Sequence, residues 1–261
     1  MPIRQLDRAA IKREAKDLIR TARVSPIKFT LLFLAVSLAL SLLDTALTDR
    51  TGQIVGVAFV SVSFVSILIN LISQVLDAGY NCYCLGVHRR EEMPYESLFD
   101  GFTFAGKVIA LYIVEGIFVA LWSMLFVIPG IIAVYRYSFA LWNLCQDPSL
   151  GVMEALDRSK RQTVGYKGQL FGLHLSFIGW YLIIFAIVGI YESVILTLLP
   201  DSFLGIMSGS LILAVLTGLA DIYFTPYFTL SVCGFYLRAT QPEQPSSDGQ
   251  TRERGSYDPE F

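Results

Sequence analysis

Apolar and polar positions alternate along this chain in long blocks, and the blocks predict membrane-spanning helices. Fifteen uncharged residues separate Lys28 from Asp44, and twenty-six separate Arg50 from Asp77. Residues 108–128 hold a single charge, Glu115; 131–145 hold only Arg136; 168–199 hold only Glu192 and His174 as ionisable groups; 209–237 hold only Asp221. A helix crosses about 30 Å of hydrocarbon with roughly 20 residues at about 1.5 Å each. Residues 131–145 would cover only about 22 Å by that rise. They are read as a span because Pro129-Gly130 is a turn signal at the far end of the third block, and a hairpin return is the simplest path. The predicted fold class is all-α: a polytopic membrane helix bundle of about six transmembrane helices in three hairpins. Interfacial amphipathic helices are expected on the cytoplasmic side.

The polar blocks repeat a unit. An amphipathic stretch precedes each hairpin, at 3–24, 95–101 and 148–163. In the first, Ile11, Ala15, Leu18 and Ala22 recur at helical spacing, and Lys12, Arg13, Lys16, Arg20 and Arg23 occupy the flanks and the opposite face. Such a helix lies in the interface and is drawn to anionic lipid; the competing reading is a juxtamembrane helix whose charges only set topology. The third stretch opens with Asp147-Pro148, read as an N-cap followed by proline at the first helical position. The domain plan is an N-terminal amphipathic helix (1–26), a six-span membrane domain (27–238) and a disordered tail (239–261) rich in Pro, Ser, Gly and charge.

Charge fixes the orientation. Of 20 Lys and Arg residues, this assignment puts 18 on one side: eight before the first span, three after the second, four after the fourth and three after the sixth. Arg50 alone falls opposite, and Arg136 lies within the fourth span. The bias predicts a multi-pass membrane protein with both termini in the cytoplasm. The net charge of −2 conceals it. A mean hydropathy of +0.56 and only 16% charged residues agree with a membrane protein. No signal peptide is expected, because a polar stretch precedes the first apolar run and no cleavage-site pattern follows it. Cys82, Cys84, Cys145 and Cys233 all fall near inner ends of spans, a reducing compartment where buried thiols are expected rather than disulfides or a metal site.

The run EALDRSKRQTVGYKGQLFGLHLSFIGWY at 154–181 resembles the most recognisable stretch of a bacterial integral membrane family, domain-of-unknown-function 975. IKREAK at 11–16, LFDGF at 98–102, PGIIAVYRYS at 129–138, PYFTLSVCGFY at 226–236 and the segment from Tyr80 through Gly86 agree. The resemblance spans about Ile11 to Tyr236 and implies no activity. Where the family usually shows Arg-Gly-Glu after the second span, this chain has Arg89-Arg90-Glu91. The turn there lacks its glycine, which leaves its geometry open.

Candidate chemistry rests on the ionisable residues of the apolar blocks: Arg136, Glu192, Asp221, Glu115 and His174. Each charge at mid-span costs about 2.5–3.5 kcal/mol on insertion scales, so such groups face the bundle interior and find partners. By depth, Arg136 is expected to pair with Glu192, Asp221 or both, as a structural ion pair or as the polar path of a translocator. Pro226 predicts a kink beside Asp221, and Gly205, Gly209 and Gly218 offer break points in a segment too long for one crossing. His174 is expected to be a satisfied interior imidazole rather than a proton relay. Gly52/Gly56, Gly168/Gly172 and Gly205/Gly209 have the spacing for close helix approach. Trp122, Trp142 and Trp180 suit interface anchoring or bundle packing.

No hydrolase, zinc-protease or phosphate-loop motif occurs, so a non-enzymatic protein with no cofactor and no metal is expected. The expected role is that of an accessory or scaffold protein working through lipid and membrane-protein contacts; the alternative is a small-solute or lipid translocator. The expected partners are the lipid bilayer, anionic lipids and other membrane proteins, and no nucleic acid.

Overall fold

A computed structural model of the chain describes residues 5–51, 57–198 and 203–240. Every element among them is helical: α1 (Arg8–Thr21), α2 (Pro26–Thr51), α3 (Val57–His88), a 3-10 segment (Tyr95–Phe104), α4 (Ala105–Leu125), α5 (Val127–Tyr137), α6 (Ala140–Gln146), α7 (Val152–Gln162), α8 (Lys167–Leu198) and α9 (Phe203–Thr240). Among the described residues, four segments are long and apolar enough to cross a membrane: Pro26–Leu47, Tyr95–Leu125, Val127–Gln146 and Lys167–Ile187. The predicted tail, 239–261, lies outside the described residues beyond Thr240.

The buried core gathers at one end of the bundle, where the basic segments lie. Asp7 caps α1 by accepting the Ala9 amide at 2.8 Å. The stripe Ile11, Ala15, Leu18 and Ile19 is buried, and Ile11 faces Gly234 of α9. The amphipathic stripe read from the sequence is therefore real, but protein rather than lipid covers it. Beside it, Phe29 of α2 stacks on Tyr83 of α3 with ring centres 3.5 Å apart. The Thr30 and Tyr80 hydroxyls lie 2.7 Å apart, and Tyr83 donates to the Val24 carbonyl at 2.9 Å. Two glycines let the 3-10 segment seat on α3. A Cβ on Gly79 would stand 2.0 Å from the Leu98 carbonyl oxygen, and one on Gly101 2.2 Å from that of Val75.

α7 closes the second half of this end. Ser159 accepts the Phe139 amide at 3.1 Å and donates to the Arg136 carbonyl at 2.9 Å. Its hydroxyl thus bridges the break between α5 and α6 and stands in for backbone bonds that a continuous helix would make. Asn143 donates to Gln162 at 2.9 Å, and the Tyr236 hydroxyl sits 2.6 Å from Gln146 Oε1 and 3.1 Å from Asn143 Oδ1. The predicted fourth span is thus two helices joined at Ser138–Phe139.

Several expectations need correction. The reversal between α4 and α5 is made by Phe126, in an extended conformation, and not by Pro129-Gly130. Pro129 lies in the first turn of α5, where its missing N–H costs nothing. Gly130 serves packing, because a Cβ there would lie 2.1 Å from Ser123 Oγ. Asp147 is not the N-cap of α7, which starts after Gly151. It follows α6 and accepts from the Ser149 amide at 3.0 Å and hydroxyl at 2.5 Å, an Asx turn, and those bonds hold its carboxyl below the usual range. α9 is one continuous helix through Gly205, Gly209 and Gly218, so the predicted break points do not interrupt it, and Pro226 lies within it. Finally, Cys82 and Cys145 are disulfide-bonded across α3 and α6 with Cα atoms 5.2 Å apart, whereas Cys84 and Cys233 are free, buried thiols.

Candidate functional site

Arg136 and Asp221, two members of the expected cluster, are not ion-paired in the structure as described. Arg136 ends α5 at the α7 side of the molecule: its carbonyl receives Ser159 and Thr163, and its guanidinium is one of the charges that lower the Asp157 carboxyl, after the hydrogen bond and charge of Lys160. Among the described residues Arg136 makes no ion pair, with Asp221 or otherwise. The side chain of Glu192 lies outside the described residues, and with it that half of the pairing. Glu115 is half-buried on α4 without an ion-pair partner among the described residues. The lack of an Arg136–Asp221 pair has a physical counterpart: the hydroxyls of Ser159 and Thr163 donate to the Arg136 carbonyl and hold that turn of the chain beside α7.

Asp221 has a setting of its own. It borders a cavity of about 100 Å³ between α8 and α9, lined by Trp180, Leu219, Ala220, Tyr223, Phe224 and Tyr227. The Tyr223 and Tyr227 rings lie 6.0 Å apart. Two lysines of α1 reach up to the rings just below. Lys12 Nζ is 4.1 Å from the Phe177 ring centre, and Lys16 Nζ is 5.5 Å from that of Tyr227. These are cation–π distances. Lys12 also donates to the Ser176 carbonyl at 3.4 Å. Burial, then the charges of Lys16 and Arg8, push its ammonium below the usual range.

The remaining basic residues of α1 serve different ends. Arg23 pairs with Glu92 beyond α3. Arg13 lines a cavity of about 400 Å³ with Glu14, Asp17, His88, Arg90 and Arg238. Glu14 accepts from Arg238 at 2.7 Å, and the buried His88 ring bonds the Leu230 carbonyl at 2.8 Å. Arg20 is exposed.

Arg90 is the residue the sequence could only question. Its amide donates to the Val87 carbonyl at 3.1 Å and the Glu91 amide to that of Gly86 at 3.0 Å, with φ of 59° at Arg90. This is the helix-ending pattern in which the left-handed position normally carries glycine. The turn survives the substitution, and Arg90 itself adopts the strained conformation.

His174 meets the expectation in part. Its Nδ1 lies 3.1 Å from the Tyr135 hydroxyl and its ring packs against Tyr135 and Phe228, but Nε2 is buried without a partner among the described residues. Gly172 makes room for the Arg8 guanidinium and Gly168 faces open space, so that pair is not a helix-crossing point. Gly52 and Gly56 lie outside the described residues, as do the surroundings of Gly205 and Gly209. Trp142 is buried, while Trp122 and Trp180 are exposed on the apolar surface.

One polar group went unread in the sequence. Asp77 of α3 accepts from Tyr112 of α4 at 3.1 Å and from Asn81 at 3.2 Å. In the sequence Asp77 marks the end of an apolar run, and the signal that could have found the site is Asp77-x-x-x-Asn81, which has helical spacing. No group of three or more potential metal ligands occurs among the described residues.

Residues 124–243 match a family described as protein of unknown function (DUF975), which supports the family assignment made from the motifs. No curated protein matches the chain, and no solved structure does.

Proposed function

We propose that this chain, a DUF975-family membrane protein, is a non-enzymatic accessory protein of the cytoplasmic membrane that works from a packed platform on the inner face. The observation that carries the reading is where the core lies. Buried side chains gather around α1, the 3-10 segment, α6, α7 and the adjoining ends of α3, α8 and α9. Away from that end, Leu38, Leu42, Phe64, Ile67, Leu182 and Phe185 are bare, available to lipid and to helices of other proteins.

Lengths measured from the platform support a revised topology. The Lys12 and Lys16 ammoniums mark the polar boundary beside Phe177 and Tyr227, since such groups seek water or headgroups. From Phe177 to the end of α8 is about 32 Å, and from the start of α9 to Tyr227 about 36 Å. Thr30 to the end of α2 gives about 32 Å and Val57 to Asp77 about 30 Å, each near one hydrocarbon thickness. α4 and α5 differ. Tyr112 is level with Asp77, and Lys160 Nζ lies 5.8 Å from both the Phe118 and Tyr137 ring centres. Above those levels α4 rises about 20 Å and α5 returns about 15 Å. The tip between them, Met124–Ile128, is wholly apolar, with Met124 86% and Phe126 72% exposed. A tip in water would carry polar residues, as the connections near Asp49 and Asp201 do. The reading is therefore four full crossings, α2, α3, α8 and α9, with both termini inside, and a re-entrant α4–α5 hairpin ending within the bilayer.

The test of topology is cysteine labelling in a cysteine-free background with an impermeant maleimide. Position 49 or 201 should label from outside, and 127 should not; external labelling at 127 restores six crossings. The test of the platform is thermal unfolding in bilayers with and without phosphatidylglycerol. Anionic lipid should stabilise the protein through Arg13, Lys16 and Arg20, and exchanging these for Gln should remove the gain. An equal gain in the exchanged protein refutes the lipid role.

A further inference from the structure

We propose that the α8–α9 cavity at Asp221 binds an organic cation, an alkyl- or aryl-substituted ammonium, entering from the surrounding bilayer. The inference stands on side chains of α8 and α9 and does not depend on the accessory role. Asp221 lies about 9 Å further along α9 than Tyr227, beyond the polar boundary that the lysines mark. A carboxylate at that depth calls for a counter-charge. None is supplied: among the described residues Asp221 has no ion-pair partner, and Arg136, the cation once assigned to it, is turned toward α7.

The lining selects the kind of cation. Trp180, Tyr223, Phe224 and Tyr227 present four aromatic side chains around one acid, with no basic side chain among the lining residues. Aromatic faces attract cations through their negative quadrupole, and a methylated ammonium, shedding water more readily than a metal ion, fits such a wall best. The molecule already uses this chemistry alongside, where Lys12 and Lys16 place ammonium groups over Phe177 and Tyr227. Size limits the ligand. About 100 Å³ admits a substituted ammonium head and not a whole solute. The remainder of the ligand must lie along the apolar surface, where Trp180 is 53% and Leu219 62% exposed. A lateral route from the membrane suits an amphiphile with a cationic head.

The experiment is equilibrium dialysis of labelled benzyltrimethylammonium against the full-length protein in maltoside micelles, corrected for empty micelles. Saturable binding at one site is expected, weakened at least tenfold in Asp221→Asn. Tyr223→Leu, which keeps the charge and alters an exposed ring, should weaken it by roughly threefold to thirtyfold. Benzyl alcohol, with the same ring and no charge, should partition as it does into empty micelles. Elution volume and melting temperature of each variant establish that it is folded. Absence of saturable binding to the wild type overturns the proposal, and so does equal affinity in folded Asp221→Asn. Should Asp221→Asn fail to fold, unchanged affinity in Tyr223→Leu overturns it.

Discussion

Replacing Arg90 by glycine should stabilise the protein although it deletes a long charged side chain. Arg90 ends α3 at φ 59°, and its amide and that of Glu91 close the turn onto Val87 and Gly86. A residue with a Cβ loses about 1–2 kcal/mol in that conformation. Glycine escapes this penalty, but the unfolded chain gains freedom that offsets about 0.5–1 kcal/mol. Arg90 is exposed and makes no ion pair among the described residues, so little side-chain energy is lost. The net expectation is a gain of about 0.5–1 kcal/mol, or about 1–4 °C in apparent melting temperature for a chain of this size. Thermal unfolding in detergent, followed by loss of the monodisperse elution peak, reads it. Arg90→Ala is the control, since it removes the same side chain and keeps the Cβ. Alanine should melt at or below the wild type and glycine above both. If glycine and alanine melt together, the strain at position 90 is not what governs this turn.

Three further outcomes are expected. Gly79→Ala, whose Cβ would stand 2.0 Å from the Leu98 carbonyl oxygen, should cost about 3 kcal/mol or more and reduce accumulation, while Gly106→Ala, facing open space, should be neutral or slightly stabilising in the same melts. Thiol titration of the denatured, unreduced protein should find two reactive cysteines, Cys84 and Cys233; four would mean that Cys82 and Cys145 are reduced in the cell. Burial lowers the His88 pKa, against the opposing pull of the Leu230 carbonyl and Glu14, so the unfolded chain takes up the proton first. Stability should then fall as pH drops below about 6.5, and His88→Gln, which can keep a donor toward Leu230, should flatten that part of the profile; an unchanged slope would assign the pH dependence to other groups.

The helices were legible because membrane burial writes long apolar runs, and the α1 stripe because charge and apolar residues alternate at helical spacing around Ile11, Ala15 and Leu18. What covers an amphipathic face is not written in its own pattern: the stripe of α1 suits lipid and α9 equally well, and only the packing onto Gly234 decides. Turn chemistry misled twice for the same reason. Proline and glycine mark reversals, but they are also tolerated in the first turn of a helix and at close contacts, and Pro129 and Gly130 do the latter. The break in the fourth apolar block was not legible, because it is supported by the Ser159 hydroxyl, twenty residues beyond Phe139, and no local signal announces it. The disulfide was missed because compartment was used as the criterion and proximity across α3 and α6 cannot be read from spacing.

The charges of the apolar segments follow one rule once the platform is used as the reference level. Lys12 and Lys16 reach aromatic rings, Lys160 reaches Phe118 and Tyr137, and the Arg136 guanidinium is felt by Asp157; every one of these cations belongs to the packed end of the bundle. The acids divide differently. Asp77 is held at the platform level by Tyr112 and Asn81 and has no need of a cation, because hydrogen bonds replace its water. Among the described residues Asp221 alone combines depth, a cavity and aromatic walls, and none of them delivers a cation to it. A bundle that needed the carboxylate only for packing could satisfy it as Asp77 is satisfied, with neutral donors from a neighbouring helix. That contrast between two acids of one chain is the physical reason to look for an external cation at Asp221.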